Sequence, residues 1–310
     1  MRRLKAANKI YKFQFDTYQR RFRQPLQTSK GTWRVREGII VSLTDESGKS
    51  GRGEIAPLPD FGSETLAQGL EFCQRFDSTI TTAKIYQIGD CLPACQFAFE
   101  SALLNLREKE NSDSGIDLDY CYLLPAGTKA LTAWQELERP YPSTFKWKID
   151  VLSIAEEIAI FQKLVAALPP KSKLRLDANA GLDSQQTRQW LQVAEASNKV
   201  EFIEQPLSPN DFAEMLSLSK EYSTAIALDE SVASFNQLET AYKRGWQGVY
   251  VIKAAIMGYP SRLLDFCQDK AIDVVFSSVF ETEIGRQAVL NLAAKLPNRR
   301  AVGFGVNHWF

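Results

Sequence analysis

The chain has 310 residues, and its 37 basic and 37 acidic side chains cancel to a formal charge of zero. That balance leaves no electrostatic footprint for nucleic acid or an anionic membrane. No apolar run reaches the roughly 18 residues of a spanning helix, and the N-terminus lacks the apolar core of a secretory signal. The expectation is a cytoplasmic protein that acts on a small molecule, with no membrane or nucleic-acid partner and an oligomeric state invisible in the sequence.

The N-terminal stretch carries Arg2, Arg3, Lys5, Lys9, Lys12, Arg20, Arg21 and Arg23 against Asp16 alone. A targeting segment would read this way. So would a strand with a solvated basic face, and the alternation Tyr11-Lys-Phe-Gln-Phe15 favours the strand. A polar loop is expected over Gln24–Gly31, then a buried strand at Ile39–Leu43, a turn at Asp45–Gly51 closing a hairpin, and a rigid loop over Gly53–Asp60. Helical apolar spacing follows at Leu66–Phe76 and from Phe97 to Leu106. Residues 1–110 are therefore assigned to an α+β capping domain.

From Tyr120 the texture changes to short apolar strands alternating with amphipathic helices. Strands are placed at Tyr120–Leu124, Thr144–Ile149, Lys173–Ala178, Val200–Glu204, Ala225–Asp229, Gly248–Lys253, Asp273–Ser277 and Arg300–Gly305. Ile154, Ile158, Phe161, Val165 and Leu168 form one helical stripe that ends at Pro169-Pro170, and Ser234 caps a helix closed by Gly245. This pattern predicts a (β/α)8-type barrel over residues 111–310, with an irregular first or last unit allowed. An open doubly wound sheet would need a glycine-rich phosphate loop after a strand, and none is present.

The five cysteines (Cys73, Cys91, Cys95, Cys121, Cys267) are scattered without a zinc-binding pattern and read as buried free thiols. The single histidine, His308, reads as structural. Histidine-dependent hydrolytic mechanisms are thereby disfavoured, and acid–base chemistry falls to lysines and carboxylates.

Those residues recur at regular intervals. From Lys148 to Asp177, Glu204, Asp229 and Lys253 the steps are 29, 27, 25 and 24 residues, about the length of one strand–helix unit of roughly 30 residues. A parallel barrel gathers such positions at the C-terminal ends of adjacent strands. One such charge would be an ordinary strand cap. Three acids on successive strands, with lysines on either side, describe a divalent cation site between ammonium groups. Oxygen ligands without sulfur or imidazole suit Mg²⁺. Side chains two apart on a strand share a face, so Lys146 joins Lys148, and Arg175 and Asn179 join Asp177. A cation facing a Lys-x-Lys pair suits removal of a proton next to a carboxylate, because neighbouring positive charge makes a lysine a better base near neutral pH.

At these residues the chain resembles the enolase superfamily, in the subgroup of muconate cycloisomerase. The segments are Phe145-Lys-Trp-Lys148, Leu174-Arg-Leu-Asp-Ala-Asn179, Glu201-Phe-Ile-Glu-Gln-Pro-Leu207, Ala227-Leu-Asp-Glu-Ser231 and Val251-Ile-Lys253. Arg36-Glu-Gly38, Gly53-Glu54 and Pro57-Leu-Pro59 resemble the capping domain of that family, so the likeness covers nearly the whole chain. It implies Mg²⁺ at Asp177, Glu204 and Asp229, with Mn²⁺ able to substitute, and Lys148 and Lys253 on opposite faces of the substrate. It also implies supporting positions for Glu230 and Asn179, and an Arg175 of the kind frequent among o-succinylbenzoate synthases.

Within the subgroup, Ala301–Trp309 lacks the Asp-x-Asp of dipeptide epimerases, and mandelate-racemase-like members need a histidine base that this chain lacks. Short length, Phe276-Ser-Ser-Val-Phe-Glu281 and Gly303-Phe-Gly305 most resemble the o-succinylbenzoate synthases, which make a precursor of menaquinone or phylloquinone. The activity this implies is dehydration of 2-succinyl-6-hydroxy-2,4-cyclohexadiene-1-carboxylate to o-succinylbenzoate through an enediolate. Lys148 would act as base and Lys253 as a cation over the ring. Ser277 and Ser278 would donate to the succinyl carboxylate, and the segments Arg23–Thr32 and Pro57–Phe61 would shape the pocket. N-succinylamino-acid racemase or muconate cycloisomerase chemistry would use the same residues. A non-catalytic metal-binding barrel is the reading from a different class, and the retained lysines argue against it.

Overall fold

The computed structural model describes residues 8–28, 31–107, 118–138, 140–297, 300–306 and 309–310. The N-terminal part builds an antiparallel sheet in the order β3-β2-β1-β4. Its strands are β1 (Ile10–Thr28), β2 (Gly31–Thr44), β3 (Ser50–Ile55) and β4 (Thr79–Thr81). Helices α1 (Leu66–Gln74), α2 (Thr82–Ile85) and α3 (Pro93–Arg107) pack on it. The expected hairpin is there: the Asp45 carboxylate accepts from the Ser47 and Lys49 amides and turns the chain between β2 and β3. α3 lies flat on β3 because Gly53 has no side chain; a Cβ there would stand 1.9 Å from the Ala98 carbonyl oxygen.

Three expectations in this part are corrected. Residues 24–31 are not a loop over most of their length: β1 runs to Thr28 and pairs again with β2 through Leu26–Trp33, Gln27–Thr32 and Thr28–Gly31 after a register irregularity beyond Arg21. Pro25, which cannot donate to a ladder, falls inside that irregularity. The loop expected at Gly53–Asp60 begins as strand through Ile55. Cys91 is exposed, while the other four cysteines are buried, and all five are free thiols. His308 lies outside the described residues, as do Arg2, Arg3 and Lys5.

The rest of the chain forms an eight-stranded parallel sheet in the order β11-β10-β9-β8-β7-β6-β5-β12. The strands are β5 (Tyr120–Leu123), β6 (Thr144–Lys148), β7 (Lys173–Asp177), β8 (Val200–Glu204), β9 (Ala225–Leu228), β10 (Val249–Ile252), β11 (Val274–Phe276) and β12 (Val302–Gly305). A bridge between Ser277 and Gly303 joins the two ends, so the sheet closes into a barrel. The first crossover holds only a short helix, α4 (Ala130–Ala133). The remaining crossovers are α5 (Ile154–Ala167), α6 (Ser184–Ser197), α7 (Phe212–Glu221), α8 (Phe235–Lys243), α9 (Pro260–Lys270) and α10 (Glu283–Ala293). The irregular unit is thus the first. α5 and α6 start with capping boxes, Ser153 with Glu156 and Asp183 with Gln186, which satisfy amides that helix starts leave open.

Alternation on the strands divides the core. Trp147 faces outward onto Trp190, ring against ring at 6.4 Å, in the layer between barrel and helices. Inside the barrel, Phe202, Ala227, Val249, Val251 and Val275 form a separate apolar cluster. Two residues further along β8, β9, β10 and β11, on the same face, stand Glu204, Asp229, Lys253 and Ser277. The interior is a packed plug with a polar mouth above it. The boundary expected near residue 110 falls among residues 108–117, outside the description.

Candidate active site

A cavity of about 270 Å³ opens over that plug. It is lined by Lys146, Lys148, Arg175, Asp177, Asn179, Glu204, Asp229, Glu230, Lys253, Ser277 and Ser278, the whole set expected from the sequence. Register explains the convergence, since Lys148 pairs with Asp177 across β6 and β7, and Asp177 with Glu204 across β7 and β8. From the capping part, Trp33, Leu58, Asp60 and Phe61 complete the wall. Of the two segments expected to shape the pocket, Pro57–Phe61 supplies three lining residues.

The three lysines differ in their partners. Lys146 Nζ lies 2.7 Å from both Asp177 Oδ2 and Glu204 Oε1. Burial alone would lower its pKa, but Asp177, Glu204 and Asp229 together outweigh that and hold it well above the usual lysine value. Lys146 is therefore fixed on carboxylates, besides neighbouring Lys148 as expected. Lys253 donates to Asp229 Oδ1, and its ammonium sits 3.7 Å from the centre of the Phe61 ring. The Lys148 side chain makes no hydrogen bond or ion pair among the described residues. Its charge acts on the Asp150 carboxylate.

The carboxylates are buried against one another. Burial first, then the Asp177 charge, pushes Glu204 up to about 8. Burial and then Asp229 push Glu230 to about 7. Glu230 Oε2 has no hydrogen-bond partner, and its Oε1 accepts a long bond, 3.4 Å, from Asn179 Nδ2. Crowded, desolvated acids of this kind ask for positive charge. Among the described residues they do not close into a cage of three ligands, because ammonium groups stand between them. Mg²⁺ keeps several waters and takes few protein carboxylates, so an open arc of oxygen donors with an orphan oxygen behind it fits that ion.

Several residues that hold this arrangement were not singled out from sequence. Gln205, fully buried at a positive φ of 39°, accepts from the Asp229 and Ser231 amides at 3.0 Å and donates to the Leu207 carbonyl. It ties the end of β8 to the end of β9 and so fixes the Asp229 backbone. Arg175 sits beneath the cavity, only 1 % exposed. Its Nε donates to Glu201 and its Nη1 to the Ala301 carbonyl, at 2.7 and 2.8 Å. Glu201 also receives Arg300, which pairs with Asp273, making a charged chain from Arg175 to Asp273. The signal for Glu201 was present: it shares a strand with Glu204, but at odd spacing it reads as the opposite face. Ser278 departs from its expected role, since its hydroxyl donates to Glu281 Oε2 and accepts from the Phe280 amide. Ser277 lines the cavity, and its hydroxyl makes no hydrogen bond among the described residues.

Family comparisons agree with this geometry. Residues 130–310 match the model of the enolase C-terminal domain-like family, and residues 8–106 match that of the MenC N-terminal domain. An o-succinylbenzoate synthase from Thermosynechococcus vestitus is 39% identical over 303 residues, covering 96% of this chain and 93% of that protein. The crystal structure of an o-succinylbenzoate synthase from Thermosynechococcus elongatus BP-1, complexed with Mg in the active site, superposes with a TM-score of 0.89 at 40% identity, over 96% of this chain and 94% of that one. A dipeptide epimerase from Enterococcus faecalis complexed with Mg and a dipeptide shares the fold, with a TM-score of 0.78 at 24% identity over 95% of this chain and 90% of that one.

Proposed function

The chain belongs to the o-succinylbenzoate synthases of the enolase superfamily, and we propose that it dehydrates 2-succinyl-6-hydroxy-2,4-cyclohexadiene-1-carboxylate to o-succinylbenzoate as a lyase of quinone biosynthesis. The observation that carries the assignment of roles is the difference among the three cavity lysines. Lys146 and Lys253 are held by carboxylates, whereas Lys148 reaches the cavity with no carboxylate on its Nζ.

Asp177, Glu204 and Asp229 would hold Mg²⁺, or Mn²⁺ in its place, and the bound cation supplies positive charge against the substrate carboxylate as the α-proton leaves. Lys148 Nζ takes that proton and, as an ammonium on the same face, returns it to the departing hydroxyl. Lys146 keeps Asp177 and Glu204 in place and offsets their mutual repulsion. Lys253, anchored by Asp229 and Phe61, presents a positive charge across the ring. Phe61, Trp33 and Leu58 exclude water from above. The β12 end has no acid to pair a substrate ammonium, and a buried ammonium without a partner is costly, so dipeptides are not the substrates. Among the described residues no helix is long and apolar enough to cross a membrane, which suits a water-borne dicarboxylate.

The test follows ring aromatisation by absorbance with the purified protein and the cyclohexadiene substrate. Turnover should vanish on chelation and return with Mg²⁺ or Mn²⁺. The same enzyme in D₂O with N-succinylamino acids reads the competing chemistry: rapid α-deuteration without dehydration of the cyclohexadiene would replace the synthase reading by a racemase.

A further inference from the structure

The turn after β11, Ser277–Glu281, is gripped by the capping part from several strands. Arg36 of β2, 5 % exposed, donates from Nε to the Val279 carbonyl at 2.9 Å and from Nη1 to the Pro57 carbonyl at 3.0 Å. Glu54 of β3 is fully buried and accepts from the Thr282 amide at 2.8 Å and the Gly285 amide at 2.9 Å, capping α10 from the other domain. Gly285 is required there, since a Cβ would stand 2.9 Å from Glu54 Oε2. Tyr18 of β1 donates its hydroxyl to the same carboxylate. Above the turn, Phe22 packs edge-on against Phe280 at 5.5 Å.

At the centre is Glu281, a buried carboxylate that the dehydration does not use. Its Oε2 accepts from the Val279 amide at 2.6 Å and from the Ser278 hydroxyl at 3.0 Å. Ser278 Oγ in turn accepts from the Phe280 amide at 2.8 Å, and Phe280 takes a positive φ of 61°. A phenylalanine in that region is strained unless the surroundings hold it. The other oxygen of Glu281 and the Nη2 of Arg36 are both buried without a hydrogen-bond partner. An open acceptor and an open donor at one interdomain contact are costly, which marks residues retained for something other than stability.

We propose that Glu281 is a positioning residue for the distal, succinyl carboxylate of the substrate. By accepting from the Ser278 hydroxyl and the Val279 amide it folds the turn and leaves Ser277 as the lining serine with an unengaged hydroxyl, and Arg36 and Glu54 carry the placement of the cap into that turn. The inference rests on the dehydratase reading of the cavity. It assigns specificity for a dicarboxylate to a network whose members lie behind the lining.

The test uses the Mg²⁺-loaded enzyme and two readouts: steady-state dehydration, and equilibrium binding of o-succinylbenzoate by calorimetry, which needs no turnover. Glu281→Ala should raise KM and the product Kd about tenfold, with kcat within about threefold and the Mg²⁺ dependence unchanged. Glu281→Gln keeps an acceptor for Ser278 and Val279 and should return both constants to within about threefold of wild type. Arg36→Lys, which keeps the charge and loses the fork onto Val279, should weaken both severalfold, and it carries the test if Glu281→Ala does not fold. Unchanged Kd in Glu281→Ala, or equal loss in Glu281→Ala and Glu281→Gln, overturns the proposal. A wild type that binds o-succinylbenzoate but does not dehydrate the cyclohexadiene sinks the parent reading, and the binding ratios still judge Glu281.

Discussion

From β6 to β10 each strand ends in, or is followed at once by, a charged side chain that lines the cavity, whereas from β11 through β12 to β5 the strands and their ends contribute Val275, Ser277, Gly303, Cys121 and Leu123, with no charge among them. The charged arc is braced from inside the barrel, by Gln205 beneath Asp229 and by Lys146 between Asp177 and Glu204. The uncharged arc is braced from outside, by Arg36 and Glu54 of the capping part. On the proposed roles, proton transfer and cation binding sit on the arc braced from within the barrel, with Phe61 of the capping part over Lys253. Substrate shape is set where two parts of the chain meet. Damage to the first arc should lower kcat, and damage to the second should raise KM.

The sharpest way to break that division is Lys148→Ala. General acid–base catalysis contributes about 10²–10⁴-fold, and here one lysine does both proton transfers, so a loss on the order of 10⁴-fold in kcat is expected. Because Lys148 makes no ion pair among the described residues, thermal stability and Mg²⁺ affinity should stay near wild type. Near-native kcat in this variant would reassign the base.

A smaller effect separates charge from proton transfer at Lys253. Cation–π attraction is worth about 2 kcal/mol when desolvated, or about thirtyfold in rate. Lys253→Ala should lose at least that, since it also strands the buried Asp229 carboxylate. Lys253→Arg keeps a cation and should retain measurable dehydration. If Arg proved as inactive as Ala in the aromatisation assay, Lys253 would have to carry a proton and the two faces of the cavity would be chemically equivalent.

The same contrast explains what could be read from the amino-acid order. The barrel strands match their expected bounds to within a residue or two because each is a short run rich in apolar residues, and the regular spacing of the charges from β6 to β10 exposes the site. The distal half of β1 escapes the alternation signal because it pairs only with β2 and is mostly polar, with Phe22 as its buried exception. Gln205 stood inside a quoted segment, yet its role depends on amides 24 and 26 residues away. Arg36 and Val279 are separated by 243 positions. Contacts of that separation leave no periodic trace in one sequence, and the uncharged arc is made of them.

The smallest expected effect concerns pH and lies wholly on the uncharged arc. Burial, with the Glu54 charge behind it, pushes the Glu281 carboxyl from 4.5 up to about 7. The charged or titratable groups around it are Glu54, Arg36 and Tyr18; burial and then Glu54 raise the Tyr18 phenol, which stays protonated. Between pH 4.5 and 7 the folded protein therefore keeps a proton that the unfolded chain has released. Stability from this group is fully present below the lower value and is lost as pH rises through the upper one. Glutamine has no proton to lose, so Glu281→Gln escapes that loss. The melting temperature of the variant minus that of wild type should grow from pH 5 to pH 8. For chains of 150–250 residues 1 kcal/mol moves Tm by about 2–4 °C, and a gap of a few degrees is expected here at pH 8. A difference that stays flat across the range would mean that Glu281 is ionised throughout, with Arg36 compensating it fully, and the two orphan atoms would then be a closed ion pair and not an open contact.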